Sequence, residues 1–481
     1  MGGKSITNNI VWRLLERFGA QGVTFIVSIV LARILDPNIY GTIAIVTVIT
    51  SILQVFIDSG FGTALVQKKD SDNIDFSTVF YFNIVFCLII YGALFFFAPY
   101  IAVFYDKQEL TSIIRVLGLT LLISSVKGVQ QSYISKTMQF KRFFFATLGG
   151  TITAAIIGIW MAYKGFGVWA LVAQYLINNL IDTIILWITV KWRPSLTFSF
   201  DRLKGLFSYG YKIFLSNLID TFYQDARQLL IGKMYSSDDL AFYNKGNSFP
   251  HLIMNNVSAS VDSVLFPALA RHQDEKRILR DITIKAIKTG TFVLFPCLFG
   301  LAAIANNFVV VFLTEKWLPC VPYIWIFCAM YLLYPLFYPN LNLLKAVGES
   351  KKYLFCEILR KSVGIGVLLT TIWFGPIVIA IGAALVSLIC LFINLYPSKR
   401  IIDLGILSQL KVVAPNFILS LFMFVVVLFI GYFPINKTIL LVIQILAGFS
   451  IYVLGSKIFK YDSLIYITDV IKHKLRRHKN D

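Results

Sequence analysis

Polar side chains recur at helical spacing inside the first long apolar segment of this sequence. Arg13, Arg17, Gln21, Thr24 and Ser28 follow one another at intervals of three or four residues, which places them on one face of a helix. Residues of these types bind ligands and ions, so the stripe predicts one wall of an aqueous cavity. Arg13 is equally consistent with a side chain that snorkels to nearby lipid headgroups.

Stripes of the same kind lie on five further apolar segments. They comprise Thr47, Ser51, Gln54 and Asp58; Lys127 and Gln131; Gln174, Asn178 and Asp182; Ser208, Lys212, Ser216, Asp220, Gln224 and Arg227; and Ser248, His251, Asn255, Ser258 and Asp262. Ionisable groups inside a bilayer are costly and are therefore functional candidates by default. The stripes on the first, second, seventh and eighth apolar segments predict a cavity lined by four polar-faced helices, two from each half of the chain.

We assign these residues to two candidate roles, substrate binding and ion coupling. The candidate substrate-binding residues are Arg13, Arg17, Gln21, Lys127, Gln131, Asn178, Gln224, Arg227 and Asn255, and the candidate ion-coupling carboxylates are Asp58, Asp182, Asp220 and Asp262. Structural readings stay open for several of them. Asp220, Asp225 and Arg227 are consistent with one ion-pair cluster, and Asp58 and Asp262 with caps at helix ends.

The composition is that of a protein embedded in a lipid bilayer. Of 481 residues, 57% are hydrophobic and only 14% are charged, and the mean hydropathy is +0.75. Apolar segments of roughly 20 residues, the length that crosses a bilayer as a helix, recur along the whole chain. They predict an all-α polytopic membrane protein with about fourteen spans: 9–34, 39–65, 77–104, 110–135, 142–163, 167–190, 206–233, 240–268, 280–313, 320–345, 352–373, 376–397, 410–431 and 436–457.

The net charge of +19 is an orientation signal rather than a mark of nucleic-acid binding. Most Lys and Arg residues outside the spans fall in alternate loops, among them Lys68, Lys136 and Arg202, whereas Lys107 and Lys233 lie in the sparsely charged set. The positive-inside rule then places both termini in the cytoplasm.

The chain repeats itself with an offset of about 200 residues. The stretches that close the first span and open the sixth, Leu31–Gly41 and Gly165–Gly167, resemble Leu230–Tyr243 and Phe374–Pro376. A parallel repeat predicts two six-helix lobes related by an axis along the membrane normal. The predicted divisions are a first lobe (1–194), an amphipathic linker (195–205), a second lobe (206–400), two further spans (401–457) and a basic cytoplasmic tail (458–481).

The sequence offers little for catalysis or metal binding. Its six cysteines form no CxxC pair, its four histidines are dispersed, and no GxxxxGK[ST] motif occurs. No predicted outer loop is long enough for a glycosyltransferase or polymerase site. We therefore expect a protein that is not an enzyme and has no cofactor.

Several stretches resemble Wzx-type oligosaccharide flippases, the branch that serves lipopolysaccharide and exopolysaccharide biosynthesis. They are Leu31–Pro37, Ser59–Gln67, Gly165–Val172, Lys191–Pro194, Leu265–Pro267 and Glu315–Trp317. The resemblance spans roughly residues 5–400. It places the chain in the MOP superfamily, which also holds the MATE drug exporters and the lipid II flippase.

The resemblance implies a substrate, a mechanism and partners. The substrate is an undecaprenyl-pyrophosphate-linked oligosaccharide repeat unit, moved across the inner membrane by ion-coupled alternating access. The partners are this lipid-linked oligosaccharide, membrane lipids and the polysaccharide polymerase and chain-length machinery, without nucleic acid. Arginine suits pyrophosphate because its planar donor fork binds it bidentately. The alternatives are a MATE-like exporter of small cations and a membrane polysaccharide polymerase or ligase.

Overall fold

A computed structural model describes residues 3–58, 61–461 and 463–464. Within these ranges the chain forms seventeen α-helices and no β-strand. Twelve helical segments are long and apolar enough to cross a membrane. The predicted class, an all-α polytopic membrane protein, is confirmed.

The chain packs as two units, Met1–Ala241 and Phe242–Asp481. Helices of the first are α1 (Gly3–Ile34), α2 (Pro37–Asp58), α3 (Phe61–Gln67), α4 (Asn73–Phe104), α5 (Leu110–Leu117), α6 (Leu119–Thr137), α7 (Phe140–Tyr163), α8 (Val168–Thr189) and α9 (Phe200–Met234). Helix α10 (Ser237–Arg271) starts in the first unit and continues in the second, which also holds α11 (Lys276–Phe308), α12 (Val321–Tyr331), α13 (Tyr334–Ala346), α14 (Ser350–Thr371), α15 (Pro376–Ile402), α16 (Ile406–Ile430) and α17 (Lys437–Ile458).

Two predicted spans are less apolar than the rest. Helices α9 and α14 coincide with the predicted spans 206–233 and 352–373 and are long enough to cross a bilayer, but neither belongs to the twelve apolar segments. Both carry charged side chains along their length, including Lys212 and Arg227 on α9 and Arg360 on α14. The count of fourteen spans therefore stays a prediction.

One span in each half is broken. The fourth predicted span consists of α5 and α6, which meet at Gly118, and the tenth consists of α12 and α13. Gly118 packs closely against α4, because a Cβ atom there would lie 2.9 Å from Leu94 Cδ2. Pro335 opens α13 and has no N–H to continue the preceding helical ladder. Close packing and proline chemistry thus account for the two breaks.

The predicted linker is held against the first unit. Residues 190–199 form no helix, and Trp192 donates a 2.7 Å hydrogen bond to Asn73 at the start of α4. Helix α9 begins at Phe200 and runs antiparallel to α2, with Phe214 against Phe56 and Gly232 against Ile45. The packing boundary thus falls after Ala241, and the lobe limits predicted from the repeat stay a prediction.

The loops predicted to share a side meet in the first unit. At one end, Lys136 donates to the Lys68 carbonyl oxygen at 2.9 Å and Arg202 lies 3.3 Å from Asp75. At the other end, Lys233 lies 2.9 Å from Asp106. We call these the basic end and the opposite end. The grouping agrees with the predicted alternation of loops.

Helices α16 and α17 pack against α11 through buried polar contacts. Asn416 donates a 2.9 Å hydrogen bond to Thr291, and Tyr452 donates one of the same length to the Phe292 carbonyl oxygen. Gln444 accepts a 2.9 Å bond from Asn307. These bonds fix the last two spans onto the second unit.

Candidate functional site

Not every predicted site residue has a described side chain. Helices α1 and α2 include Arg13 and Asp58, but these two side chains lie outside the part of the chain that the structure describes. The basic tail beyond residue 464 also lies outside it. The other candidates lie on α1, α6, α8, α9 and α10: Arg17, Gln21, Lys127, Gln131, Asn178, Asp182, Asp220, Gln224, Arg227, Asn255 and Asp262.

Close contacts place candidates from three helices at a similar depth in the first unit. On α1, Glu16 accepts a 3.4 Å hydrogen bond from Thr147 of α7. One turn further along α7, a Cβ atom on Gly150 would lie 2.8 Å from the Asn178 carbonyl oxygen of α8. Asp182, one turn along α8, pairs with Lys127 of α6. Arg17, Asn178, Asp182 and Lys127 therefore lie within about two helical turns of one another along the bundle.

Arg17 makes no hydrogen bond, ion pair or ring contact with any residue that the structure describes. Its side chain is half-buried. The level of Arg17 is set by Thr147, seven residues into α7, which corresponds to roughly 10 Å of helix. A guanidinium at this depth that pairs with no described residue can contact an anionic ligand.

Lys127 is already paired. Its ammonium lies 3.1 Å from Asp182 Oδ2 and donates a 2.8 Å hydrogen bond to Asn179 Oδ1. A predicted substrate-binding residue and a predicted ion-coupling residue thus form one ion pair. Asn179, which the helical stripe omitted, makes the contact instead of its neighbour Asn178.

The structure identifies Asp225 as a polar link between α2 and α9. Ser51 donates a 2.8 Å hydrogen bond to Asp225 Oδ2, and Gln228 donates a 3.2 Å bond to Oδ1. Arg227 lies over the Tyr223 ring at 5.5 Å instead. Ser51 on the α2 stripe was the one signal in the sequence that could have pointed to this contact.

In the second unit, Asp262 lines a small, mainly apolar cavity together with Ser258 and Tyr338. Its Oδ1 accepts a 2.7 Å hydrogen bond from Asn342 of α13. This bond crosses to another helix, so Asp262 does not act through it as a helix cap. Asn255 is exposed on the same helix.

The candidate amides differ from other polar side chains in their bonding. Among the residues that the structure describes, no side-chain hydrogen bond is made by any of five candidates: Gln21, Gln131, Asn178, Gln224 and Asn255. By contrast, Asn340 and Gln409 bond one another at 2.8 Å in the core of the second unit. Unbonded amides retain donors and acceptors for a ligand or water.

Fixed charges organise the two ends of the first unit. At the basic end, Asp75 is fully buried and accepts from Lys68 at 2.6 Å and from Arg202 at 3.3 Å. The backbone N–H of Asp75 holds the pKa of Asp72 below its ordinary value. At the opposite end, Lys107 donates to Thr42 and Ser237, and burial lowers the pKa of Lys107.

Comparisons with known proteins agree with this architecture. The chain is 24% identical over 314 residues to the succinoglycan biosynthesis transport protein ExoT of Rhizobium meliloti, covering 65% of this chain and 64% of ExoT. It is 27% identical over 345 residues to the teichuronic acid biosynthesis protein TuaB of Bacillus subtilis, covering 68% and 70%. The chain thus spans about two thirds of the length of these relatives.

The solved structure of the lipid II flippase MurJ in an inward closed conformation has the same fold. The TM-score is 0.78 at 15% identity, over 95% of this chain and all of MurJ.

A model of the family described as "polysaccharide biosynthesis protein" matches residues 30–322. The match covers more than half of the chain and confirms the resemblance seen in the sequence. This multi-pass membrane protein belongs to the polysaccharide biosynthesis protein family.

Proposed function

We propose that this protein is a flippase for undecaprenyl-pyrophosphate-linked oligosaccharide repeat units in surface polysaccharide biosynthesis. It moves the polar head from the cytoplasmic to the outer leaflet by alternating access, with both termini in the cytoplasm. The family match and the similarity to ExoT, a succinoglycan biosynthesis transport protein, support this proposal. The observation that carries it is the guanidinium of Arg17, which has no partner among the residues that the structure describes.

The pyrophosphate is the part of this substrate that is hardest to move through a bilayer. A cation within a membrane span is costly unless a protein group, a ligand or water satisfies it. Arg17 has two properties that suit a pyrophosphate site. It lies within a span, and its planar donor fork has no partner among the described residues.

The unbonded amides supply the complementary chemistry for sugars. Gln21 lies one turn from Arg17 on α1, and Asn178 lies at a similar depth on α8. Neither amide makes a side-chain hydrogen bond with a residue that the structure describes. Sugar hydroxyls both donate and accept hydrogen bonds, as do carboxamides. The polyprenyl chain needs no polar site because it stays in the lipid.

Ion coupling belongs to the same proposal. An intramembrane carboxylate that exchanges H⁺ or Na⁺ during the cycle is required, and Asp58, Asp182, Asp220 and Asp262 are the candidates. Asp262 beside its cavity is the candidate in the second unit. We place the protein in the inner membrane, where polymerase and chain-length proteins receive its product.

Replacement of Arg17 tests the proposal. Arg17→Lys should lose much of the flipping activity and Arg17→Ala nearly all of it, because an ammonium cannot bind the pyrophosphate bidentately. The measurement is translocation of lipid-linked oligosaccharide in vesicles, normalised to the amount of folded protein. Arg115→Lys is the matched control, since Arg115 donates to the Phe95 carbonyl oxygen near the opposite end. Normal flipping by Arg17→Ala would refute the assignment.

A further inference from the structure

The ion pair between α6 and α8 is incomplete on one side. Asp182 Oδ2 lies 3.1 Å from the Lys127 ammonium, and both side chains are 12% exposed. Asp182 Oδ1 is buried and has no hydrogen-bond partner among the residues that the structure describes. A buried carboxylate oxygen without a donor is costly, which points to a group that binds there in another state of the molecule.

The pair lies within two apolar spans, at a depth similar to that of the proposed pyrophosphate contact. Lys127 is nine residues from Lys136 at the basic end, which corresponds to roughly 14 Å along the helix. The contacts of Gly150 and Thr147 connect its level to that of Arg17. Lys127 and Arg17 therefore lie at a similar depth in the first unit.

We propose that the pyrophosphate takes the Lys127 ammonium from Asp182, and that the freed Asp182 carboxylate accepts a proton from solvent. This inference rests on the proposed function and adds a second substrate contact with its own protonation step. The ammonium keeps its charge throughout and exchanges one anionic partner for another. One proton is taken up, and no covalent bond other than the new O–H bond forms.

Other charged groups on the helices packed against α6 and α8 already have partners or lie near helix ends. Asp75 of α4 and Arg115 of α5 are bonded to protein groups. Lys141 lies over the Trp12 ring, and Arg142 donates to the Thr189 carbonyl oxygen. Asp58 on α2 is a further carboxylate whose side chain the structure does not describe, so it needs its own variant.

The sign of the linkage follows from the exchange. Protonation of Asp182 releases Lys127 to the pyrophosphate, so proton binding and substrate binding strengthen one another equally. A counter-transported ion must instead compete with the substrate. In this scheme Asp182 binds a proton together with the substrate. The residue that binds the counter-transported ion is then Asp58, Asp220 or Asp262.

The test measures proton uptake during binding of undecaprenyl pyrophosphate to the purified full-length protein in detergent. Infrared difference spectra report a protonated carboxylic acid through its carbonyl stretch, and a pH indicator in weak buffer counts protons. The variants are Asp182→Asn, Lys127→Gln and Asp58→Asn. The control is Asp106→Asn, because Asp106 is an exposed residue at the opposite end.

The wild-type protein and Asp106→Asn should gain the carboxylic-acid band and take up about one proton more than Asp182→Asn. Asp182→Asn should lose the band yet bind the lipid at least as tightly at neutral pH, and Lys127→Gln should bind it at least tenfold more weakly. Wild-type binding without the band, or a band lost only in Asp58→Asn, would overturn the inference. Because the wild-type measurement decides the matter, poor folding of a variant does not obscure it. Absence of any wild-type lipid binding would instead count against the proposed function.

Discussion

Single polar residues fall into two sets, those whose side chains bond to other residues and those whose side chains have no partner among the described residues. Asp75 and Asn340 are buried and fully engaged with neighbouring side chains. Arg17 and the candidate amides have no side-chain partner among the described residues. The second set therefore keeps polar groups that a ligand or water can bond, as the proposed function requires.

The Lys127–Asp182 pair makes a prediction at this scale. Asp182→Ala should lower the free energy of unfolding by about 3–5 kcal/mol, because it leaves the Lys127 charge buried without its counter-ion. The double variant Lys127→Met/Asp182→Leu should recover most of the loss, since apolar residues of similar volume replace a buried pair at little cost. Thermal unfolding in detergent provides the measurement. A double variant as unstable as Asp182→Ala would show that the pair itself is not the cause.

At the scale of elements, glycine sets how closely α7 and α8 approach. A Cβ atom on Gly150 would meet the Asn178 carbonyl oxygen at 2.8 Å and the Asn178 side chain at 2.9 Å. These backbone and amide atoms of α8 face Gly150 of α7. The spacing of the two helices therefore controls where Asn178 and Asp182 lie.

Gly150→Ala should destabilise the protein by about 1–3 kcal/mol, as overpacking does, and should reduce flipping in addition. Gly92→Ala on α4 is the matched control, because nothing lies within 4 Å of its added methyl group. The control should gain stability slightly, since alanine favours a helix over glycine. Equal effects of the two substitutions on thermal unfolding would show that the α7–α8 contact is not tight.

Much of this arrangement follows from helical periodicity, and the remainder does not. Stripes at three- and four-residue spacing predicted which helices carry a polar face, including the faces of Gln21 on α1 and Asn178 on α8. Periodicity could not show that Lys127 pairs with Asp182, or that Ser51 donates a hydrogen bond to Asp225, because partner choice depends on which distant helices pack together. Nor could it place the break at Gly118, which depends on the close approach of neighbouring atoms.

At the scale of the whole molecule, orientation rests on the distribution of charge. Lys68, Lys136 and Arg202 gather at one end of the first unit, as the loop alternation predicted. The positive-inside rule places such an end in the cytoplasm.

Reporter fusions test this orientation and the number of spans. Fusions after Lys69, Arg142, Lys204, Arg280, Lys352 and Arg400 should report cytoplasm, and fusions near Lys107, Lys233 and Lys316 the opposite side. The fusions at Lys204 and Lys233 lie near the two ends of α9. The fusions at Lys352 and Arg400 lie near the start of α14 and the end of α15. Lys204 and Lys233 on the same side would remove α9 from the spans, despite its length.

The central claim is that the protein moves a pyrophosphate-linked oligosaccharide across a bilayer, and reconstitution tests it directly. Purified protein in vesicles should transfer labelled undecaprenyl-pyrophosphate oligosaccharide between leaflets, far faster than protein-free vesicles or vesicles with Arg17→Ala. A small lipophilic cation offered to the same vesicles should not be transported. Transport of the cation, with no transfer of the lipid-linked sugar above the protein-free rate, would contradict the account and favour a cation exporter.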